Sequence, residues 1–367
     1  MLQTINLGLK TNSYCIAIGD RGISRLGELL IAEKFKKDLK ILLVTNPEVF
    51  LPYGEEVVKN LQSKGFQVRC LVIEAGEENK TQETIQRIHN AAFVQHLERG
   101  SLIIALGGGV VGDMAGFGAA TWLRGISIVQ VPTTLLAMVD AAIGGKTGVN
   151  HPGGKNLIGS FHQPSLVLID PTTLKTLPSR EFRAGMAEII KYGIIGSPAL
   201  LYHLEQSDNL SSQESIPSDS LKSILKYSAQ TKAQIVMEDE KESGLRAILN
   251  YGHTLGHVVE TLTNYNTYLH GEAVALGMIV AGEIACMLNL WTQDMQSRQK
   301  KLIKKAGLPL AWPKLPLNSV LSCLQGDKKV QEGKVRFVLP TGLGKVVIKN
   351  DVPKEMITHV LSNLNGE

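Results

Sequence analysis

Leu102-Ile103-Ile104-Ala105-Leu106 is an unbroken apolar run that passes directly into Gly107-Gly108-Gly109-Val110-Val111-Gly112-Asp113, then into a small-residue segment ending near Arg124-Gly125. A short run with no polar residue needs both faces covered, which is the condition of a strand inside a parallel sheet. A strand feeding a glycine turn that opens a helix also aims backbone N–H groups at one spot, where the helix N-terminus favours negative charge. This stretch therefore points to an α/β layer arrangement and marks a candidate phosphate cradle at the carboxyl end of the strand.

The same signature recurs over the first 170 residues. Runs rich in Val, Ile and Leu at 14–18, 39–44, 67–73, 102–106, 126–131 and 166–169 predict strands, and 53–64 and 81–95 space their apolar residues at helical intervals. A mostly parallel sheet with helices on its faces, a Rossmann-like variant, is the expected fold of this part. Beyond Asp170-Pro171 the alternation stops, and 180–195, 221–237, 252–263, 271–290 and 298–306 read as helices joined by a polar connector at 206–220. A length of 367 residues suits two domains. The boundary is expected near 176–178, giving an α/β domain at 1–177 and a helical domain at 178–367. Short runs at 335–339 and 345–348 suggest a small hairpin.

Composition narrows the partners. With 38 Lys and Arg against 34 Asp and Glu the net charge is +4, too small to argue for nucleic acid. Cys15, Cys70, Cys286 and Cys323 form no CxxC pair and read as reduced thiols of a cytoplasmic protein. The first twenty residues lack the basic start and apolar core of a secretory signal. The most apolar later segment, 273–290, contains Glu283 and many small residues, which suits a packed interior helix rather than a membrane span.

Gly107-x-Gly109-x-x-Gly112 satisfies the dinucleotide pattern in form. The acidic residue expected at the end of the next strand is missing, since 126–132 contains none, so a dinucleotide must be held otherwise than in a standard Rossmann unit. Asp113 at the helix start suits the macrodipole even without a ligand. Further on, Lys146, Lys155 and Asn156 lie among glycines close to Asp140, and this density reads as an anion-binding, glycine-rich loop.

In the second half, Glu188 and Lys191 are three apart and share a helix face. His253 and His257 stand at i, i+4, and His270-Gly271-Glu272 opens the next helix. Histidine and carboxylate with a position left open is the make-up of a catalytic zinc site. Spacing alone selects His253 and His257 as the ligand pair.

The ordered segments GGGVVGDMAGFGAATWLRG, VPTTLLAMVDAAIGGKTGVNHPGGKNLIGSF, AGMAEIIKYG, LNYGHTLGHVVE, HGEAVALGM and GDKK closely resemble the 3-dehydroquinate synthase family, nearly end to end. The resemblance implies a dehydroquinate synthase-like fold: an NAD-binding α/β domain, an all-α C-terminal domain, and an active site in the cleft between them. It implies a lyase of the shikimate pathway, and so of aromatic amino-acid biosynthesis. Such an enzyme converts 3-deoxy-D-arabino-heptulosonate 7-phosphate to 3-dehydroquinate and phosphate, with NAD and Zn2+ (or Co2+) as cofactors. A hydroxyl is transiently oxidised, phosphate is eliminated, the hydride is returned, and an intramolecular aldol step closes the ring.

By the same resemblance the metal ligands are Glu188, His253 and His270, so His257 passes to the polar network around substrate. The substrate positions are Asp140, Lys146, Asn156, Lys191, Lys232, Glu242, Arg246, Asn250, His257 and Lys328. Lys232 and Arg246 are expected toward the carboxylate, and Lys146, Asn156, Asn250 and Lys328 toward the phosphate, with Lys329 adjacent. Gly107, Gly108, Gly109 and Asp113 match the pyrophosphate turn of the NAD site, Thr133 and Thr134 the next strand end, and Glu77 and Lys80 the ribose region. Lys146 and Lys155 also count on the cofactor side. Asn46 stands where some members carry Asp. Arg124 resembles an arginine that reaches the neighbouring subunit's site, which implies a homodimer. Two other readings compete. One is a cyclase that makes a valiolone, deoxygadusol or scyllo-inosose ring from another sugar phosphate, disfavoured by the carboxylate-binding set Lys232, Arg246 and Asn250. The other is a metal-dependent polyol dehydrogenase of the glycerol dehydrogenase type, which leaves Lys146, Lys155-Asn156 and Lys328 unexplained. A non-enzymatic binding protein would leave Glu188, His253 and His270 without purpose.

Overall fold

A computed structural model of the chain describes residues 2–9, 12–326 and 335–364. The chain divides into two compact units, one of Met1–Leu177 with Lys232–Lys241 and one of Pro178–Thr231 with Glu242–Glu367.

Among the described residues the first unit carries nine strands: β1 (Gln3–Leu7), β2 (Tyr14–Ile18), β3 (Lys40–Thr45), β4 (Gln67–Val72), β5 (Leu102–Gly107), β6 (Ser127–Pro132), β7 (Lys146–His151), β8 (Gly154–Phe161) and β9 (Leu166–Ile169). Seven of them form one sheet in the order β1-β2-β9-β6-β5-β3-β4. Every pairing is parallel except that of β1 with β2. Successive side chains alternate between faces, so the sheet builds two cores. Ile41, Leu43 and Ile104 pack on one side, while Leu42, Val44 and Ile103 pack with Ile88 and Met114 on the other. Burial at all six positions of β5 is why this strand reads as continuous rather than alternating. At about 1.5–3 kcal/mol for each large side chain taken out of water, these central strands are the main source of the unit's stability.

Two features depart from the sequence reading. β1 occupies a segment for which no element is expected. Most of the stretch from Asp140 to Asn156, read as a glycine-rich loop, is instead part of the antiparallel hairpin β7–β8, with Lys146 opposite Phe161 and Gly148 opposite Gly159. A Cβ on Gly148 or Gly159 would run into the carbonyl of Ile158 or of Thr147. The glycines therefore let two strands approach closely, a packing requirement that composition alone reads as looseness.

The second unit holds the helices Ser179–Ile195, Pro198–Gln206, His253–Leu262, His270–Met287, Gln293–Lys305, Leu317–Gly326 and Lys354–Leu364. It also holds an antiparallel pair, β10 (Phe337–Gly342) and β11 (Lys345–Lys349), so it is mainly helical rather than all-α. His270–Met287 has the length and hydropathy of a membrane span, yet 72% of it is buried in the fold, as befits a core helix. The helix Ser218–Glu238 begins in this unit, but its last residues group with the first. Specific bonds account for that grouping. Lys232 Nζ donates to the Asp140 carbonyl at 2.5 Å, Gln163 Nε2 to Glu240 at 3.1 Å, and the Gly8 amide to Met237 Sδ at 3.3 Å. Lys232, assigned by sequence to the helical part, thus belongs with the sheet.

Candidate active site

Glu188 lies on the Ser179–Ile195 helix and is completely buried. Its Oε2 meets the ammonium of Lys191, one helical turn on and itself buried. Its Oε1 accepts no hydrogen bond. Across the site, His253 Nε2 stands 3.5 Å and His270 Nε2 3.7 Å from that oxygen. A tetrahedral ion with bonds of 2.0–2.2 Å holds its ligand atoms roughly 3.3–3.6 Å apart, which these separations approach. A buried, unsatisfied carboxylate oxygen facing two imidazole nitrogens fits a divalent cation with its remaining positions open to substrate. His253 turns its Nδ1 to the Tyr251 carbonyl at 3.1 Å. The Tyr251 ring is itself pinned, its buried hydroxyl donating to Gln299 Oε1 at 2.6 Å. Burial presses the His270 imidazole toward neutrality, but the carboxylates of Glu188 and Glu260 outweigh it and lift its pKa to about 10.

Glycines bring these ligands together. A Cβ on Gly277 would overlap the Gly252 carbonyl, so the helices His253–Leu262 and His270–Met287 cross backbone to backbone. A Cβ on Gly271 would overlap the Ala184 carbonyl, which draws His270 onto the helix that carries Glu188. The start of the His270 helix is held as well. The Leu269 amide donates to Glu272 at 2.9 Å, and Arg180 grips Glu272 while donating to the Thr267 carbonyl at 2.7 Å.

Spacing alone offers His257 as the second ligand, whereas in the structure the ligand atoms of Glu188, His253 and His270 converge and His257 lies with Glu260 and His270 in an adjoining group. An i, i+4 pair registers only neighbours on one helix, whereas the ligand set is fixed by how three helices cross.

In the first unit, Gly108 caps the Gly109–Thr121 helix in an extended conformation, and the Thr133 amide donates to the Gly107 carbonyl at 2.9 Å. Side chains would crowd this turn, a Cβ on Gly108 lying 3.0 Å from Thr134 and one on Gly109 lying 3.1 Å from Ala141. Thr45 Oγ1, Asn46 Oδ1 and Thr133 Oγ1 are buried without hydrogen-bond partners at the carboxyl ends of β3 and β6. Unsatisfied polar atoms beside a glycine turn suit a nucleotide. Lys80 Nζ joins Asp113 and Asn156, each at 2.5 Å. Burial pushes the Asp113 carboxyl above its ordinary range, only partly offset by Lys80. Asn150, which sequence reasoning passed over, donates to Glu77 Oε1 at 2.8 Å and accepts from the Asn156 amide at 2.9 Å. The β7–β8 hairpin is thereby tied to the Glu77–Lys80 segment.

Asp140 and Lys232 also form an ion pair at 2.5 Å. Lys146 opens β7, and Lys155 and Asn156 lie on β8. In the second unit, Arg246 is buried on the short 3-10 turn that ends at Asn250, with Glu242 before it. Asn156, Glu242 and Arg124 all adopt positive φ, 55°, 58° and 69°, conformations that persist only where surroundings impose them. Arg124 is exposed in the turn after the Gly109–Thr121 helix. That helix, about 20 Å long, separates it from the glycine turn. Lys328 lies outside the described residues.

Comparison with known proteins identifies the family. The family described as 3-dehydroquinate synthase N-terminal matches residues 70–184, and that described as 3-dehydroquinate synthase C-terminal matches 185–330. A 3-dehydroquinate synthase of Prochlorococcus marinus (strain MIT 9313) is 59% identical over 363 residues, 99% of this chain and 98% of the relative. Among solved structures, a 2-epi-5-epi-valiolone synthase from Streptomyces hygroscopicus with NAD+ and Zn2+ bound superposes with a TM-score of 0.88 at 31% identity, covering 98% of each chain. A 2-deoxy-scyllo-inosose synthase complexed with carbaglucose-6-phosphate, NAD+ and Co2+ gives 0.87 at 27%, covering 98% of this chain and all of that one. A carboxylate and two histidines poised for a metal, a glycine turn beside unsatisfied polar atoms, and identity above one half along the whole length place this chain in the 3-dehydroquinate synthase family.

Proposed function

We propose that this chain converts 3-deoxy-D-arabino-heptulosonate 7-phosphate to 3-dehydroquinate and phosphate, a step of the shikimate pathway, with NAD and Zn2+ or Co2+ as cofactors. The observation that carries the reading is the unsatisfied Oε1 of buried Glu188 facing Nε2 of both His253 and His270. When bound, the metal supplies Lewis-acid polarisation of the substrate hydroxyl to be oxidised, and NAD supplies a hydride acceptor that later returns the hydride.

The chain's own residues bind and orient. The Gly107–Gly109 turn offers backbone amides to the pyrophosphate, with Lys80 and Asp113 beside it and Glu77, Asn46, Thr133 and Thr134 around the nucleoside. Lys146, Lys155 and Asn156 hold the leaving phosphate, joined by Asn250 and Lys328, so that charge developing on its bridging oxygen is met by cations and amides. Arg246 and Lys232 take the carboxylate, a role for which a buried guanidinium is suited by its fork of donors. Lys191, paired with Glu188, holds a positive charge beside the metal ligands. Asp140, Glu242 and His257 complete the polar lining and can hold or pass protons.

The similarity to two cyclases that form other rings raises a second reading, closure of a different sugar phosphate. Buried Lys232 and Arg246 favour a substrate that carries a carboxylate. Phosphate release measured with the heptulosonate phosphate, sedoheptulose 7-phosphate and glucose 6-phosphate separates the two. Turnover of the first alone is expected, and turnover of either other sugar in its place overturns the assignment.

The same proposal includes a cytoplasmic homodimer. Arg124, exposed at the far end of its helix from the glycine turn, serves the site of a second copy. Arg124→Ala is then expected to lower kcat while leaving metal content intact.

A further inference from the structure

Glu260 belongs to none of the roles above, yet it is a buried carboxylate aimed at a metal ligand. It lies on the His253–Leu262 helix seven residues beyond His253, two turns on and therefore on the same face. It is 7% exposed, and its Oε1 stands 3.4 Å from His270 Nδ1. The opposite ring nitrogen, Nε2, faces Glu188.

The two histidines thus share one design. Each presents Nε2 to the same oxygen of Glu188, and each turns Nδ1 to an acceptor behind it. For His253 that acceptor is the Tyr251 carbonyl, and for His270 it is a carboxylate. An acceptor on Nδ1 fixes which nitrogen carries the hydrogen, leaves the Nε2 lone pair for the metal, and holds the plane of the ring. A carboxylate does this more strongly than a carbonyl, and His270 needs it more. His253 sits one residue past the pinned Gly252, whereas His270 follows a turn in which Asn264 and Tyr265 both have positive φ. That turn closes on the same residue, the Tyr265 amide donating to the Glu260 carbonyl at 2.8 Å. Glu260 therefore holds the turn through its backbone and the ring through its side chain.

We infer that Glu260 is a positioning residue that orients His270 for the metal, and is not itself a ligand. The competing arrangement is a second metal held by His257, Glu260 and His270, whose donor atoms also lie within 4.8 Å of one another. It would require His270 to serve two ions.

The inference rests on the metal reading of Glu188, His253 and His270, so the test separates the two. Wild type, His253→Ala, Glu260→Ala and Glu260→Gln are titrated with Co2+, reading the visible absorption of the bound ion, and with Zn2+ against a chelator. His253→Ala is expected to lose the ion. Glu260→Ala is expected to bind one ion per chain about 10–100-fold more weakly, with an altered cobalt spectrum. Glu260→Gln, whose amide oxygen still accepts from Nδ1–H, is expected to recover most of that loss. If His253→Ala retains the ion, the metal reading itself fails. If His253→Ala loses it while both Glu260 variants bind with wild-type affinity and spectrum, the positioning role is wrong. Wild type binding two ions per chain and the Glu260 variants one would make Glu260 a ligand and overturn the inference. Should Glu260→Ala not fold, Glu260→Met, which fills the same space without an acceptor, takes its place, and wild-type affinity and spectrum in that variant count against the role.

Discussion

At the scale of single residues the site is a set of buried charges, each needing its partner. Glu188 and Lys191 are both sequestered, so removing the carboxylate strands an ammonium. Glu188→Gln is expected to lose the metal and also to destabilise the fold by about 3–5 kcal/mol. His253→Ala, which strands no charge, is expected to lose the metal with much less effect on a urea midpoint. Asp113 bears on pH. Its carboxyl titrates above the usual range because it is buried, so between about pH 4 and its raised value the folded chain holds more protons than the unfolded one. Its share of stability is therefore fully present below pH 4 and is lost as pH rises through the folded value. A melting series from pH 4 to 8 is expected to fall less steeply for Asp113→Asn than for the wild-type chain. Residues are also where sequence reading was least complete. Glu188, His253 and His270 emerged as a set only through family resemblance, because spacing offered His257 first. Glu260 gave one faint signal, an acidic residue among Val258, Val259 and Leu262 on a helix already bearing two histidines.

At the scale of elements, the ligands are brought together by helices packed too closely for side chains. Gly277→Ala places a methyl group into the Gly252 carbonyl and is expected to cost about 3 kcal/mol and to weaken metal binding, since it parts the helices of His253 and His270. Gly100→Ala, at a position with open space around it, is expected to change stability by less than about 0.5 kcal/mol. The parallel strands could be read from sequence because burial on both faces leaves continuous apolar runs. Two of the six runs coincide with observed strands, β2 and β9, and the other four start and end within one residue of one. The β7–β8 hairpin could not be read in that way. Its strand character comes from cross-strand pairing, and its glycines answer contacts with a partner strand that a linear reading cannot see. The end of the Ser218–Glu238 helix was likewise assigned by its neighbours in sequence, while Lys232 is claimed in space by Asp140.

At the scale of the whole molecule, the redox chemistry of the proposed reaction is borrowed rather than net. NAD must be reduced and reoxidised within one turnover, which separates a cyclase from a polyol dehydrogenase built on the same kind of scaffold. Chelation is expected to stop phosphate release, and Zn2+ or Co2+ to restore it. The most direct test is to count phosphate released from the heptulosonate phosphate for each NAD+ supplied, while following NADH absorbance. Many phosphates per NAD+ are expected, with no accumulating NADH. One phosphate per NAD+, with NADH rising in step, would mean that the hydride is not returned.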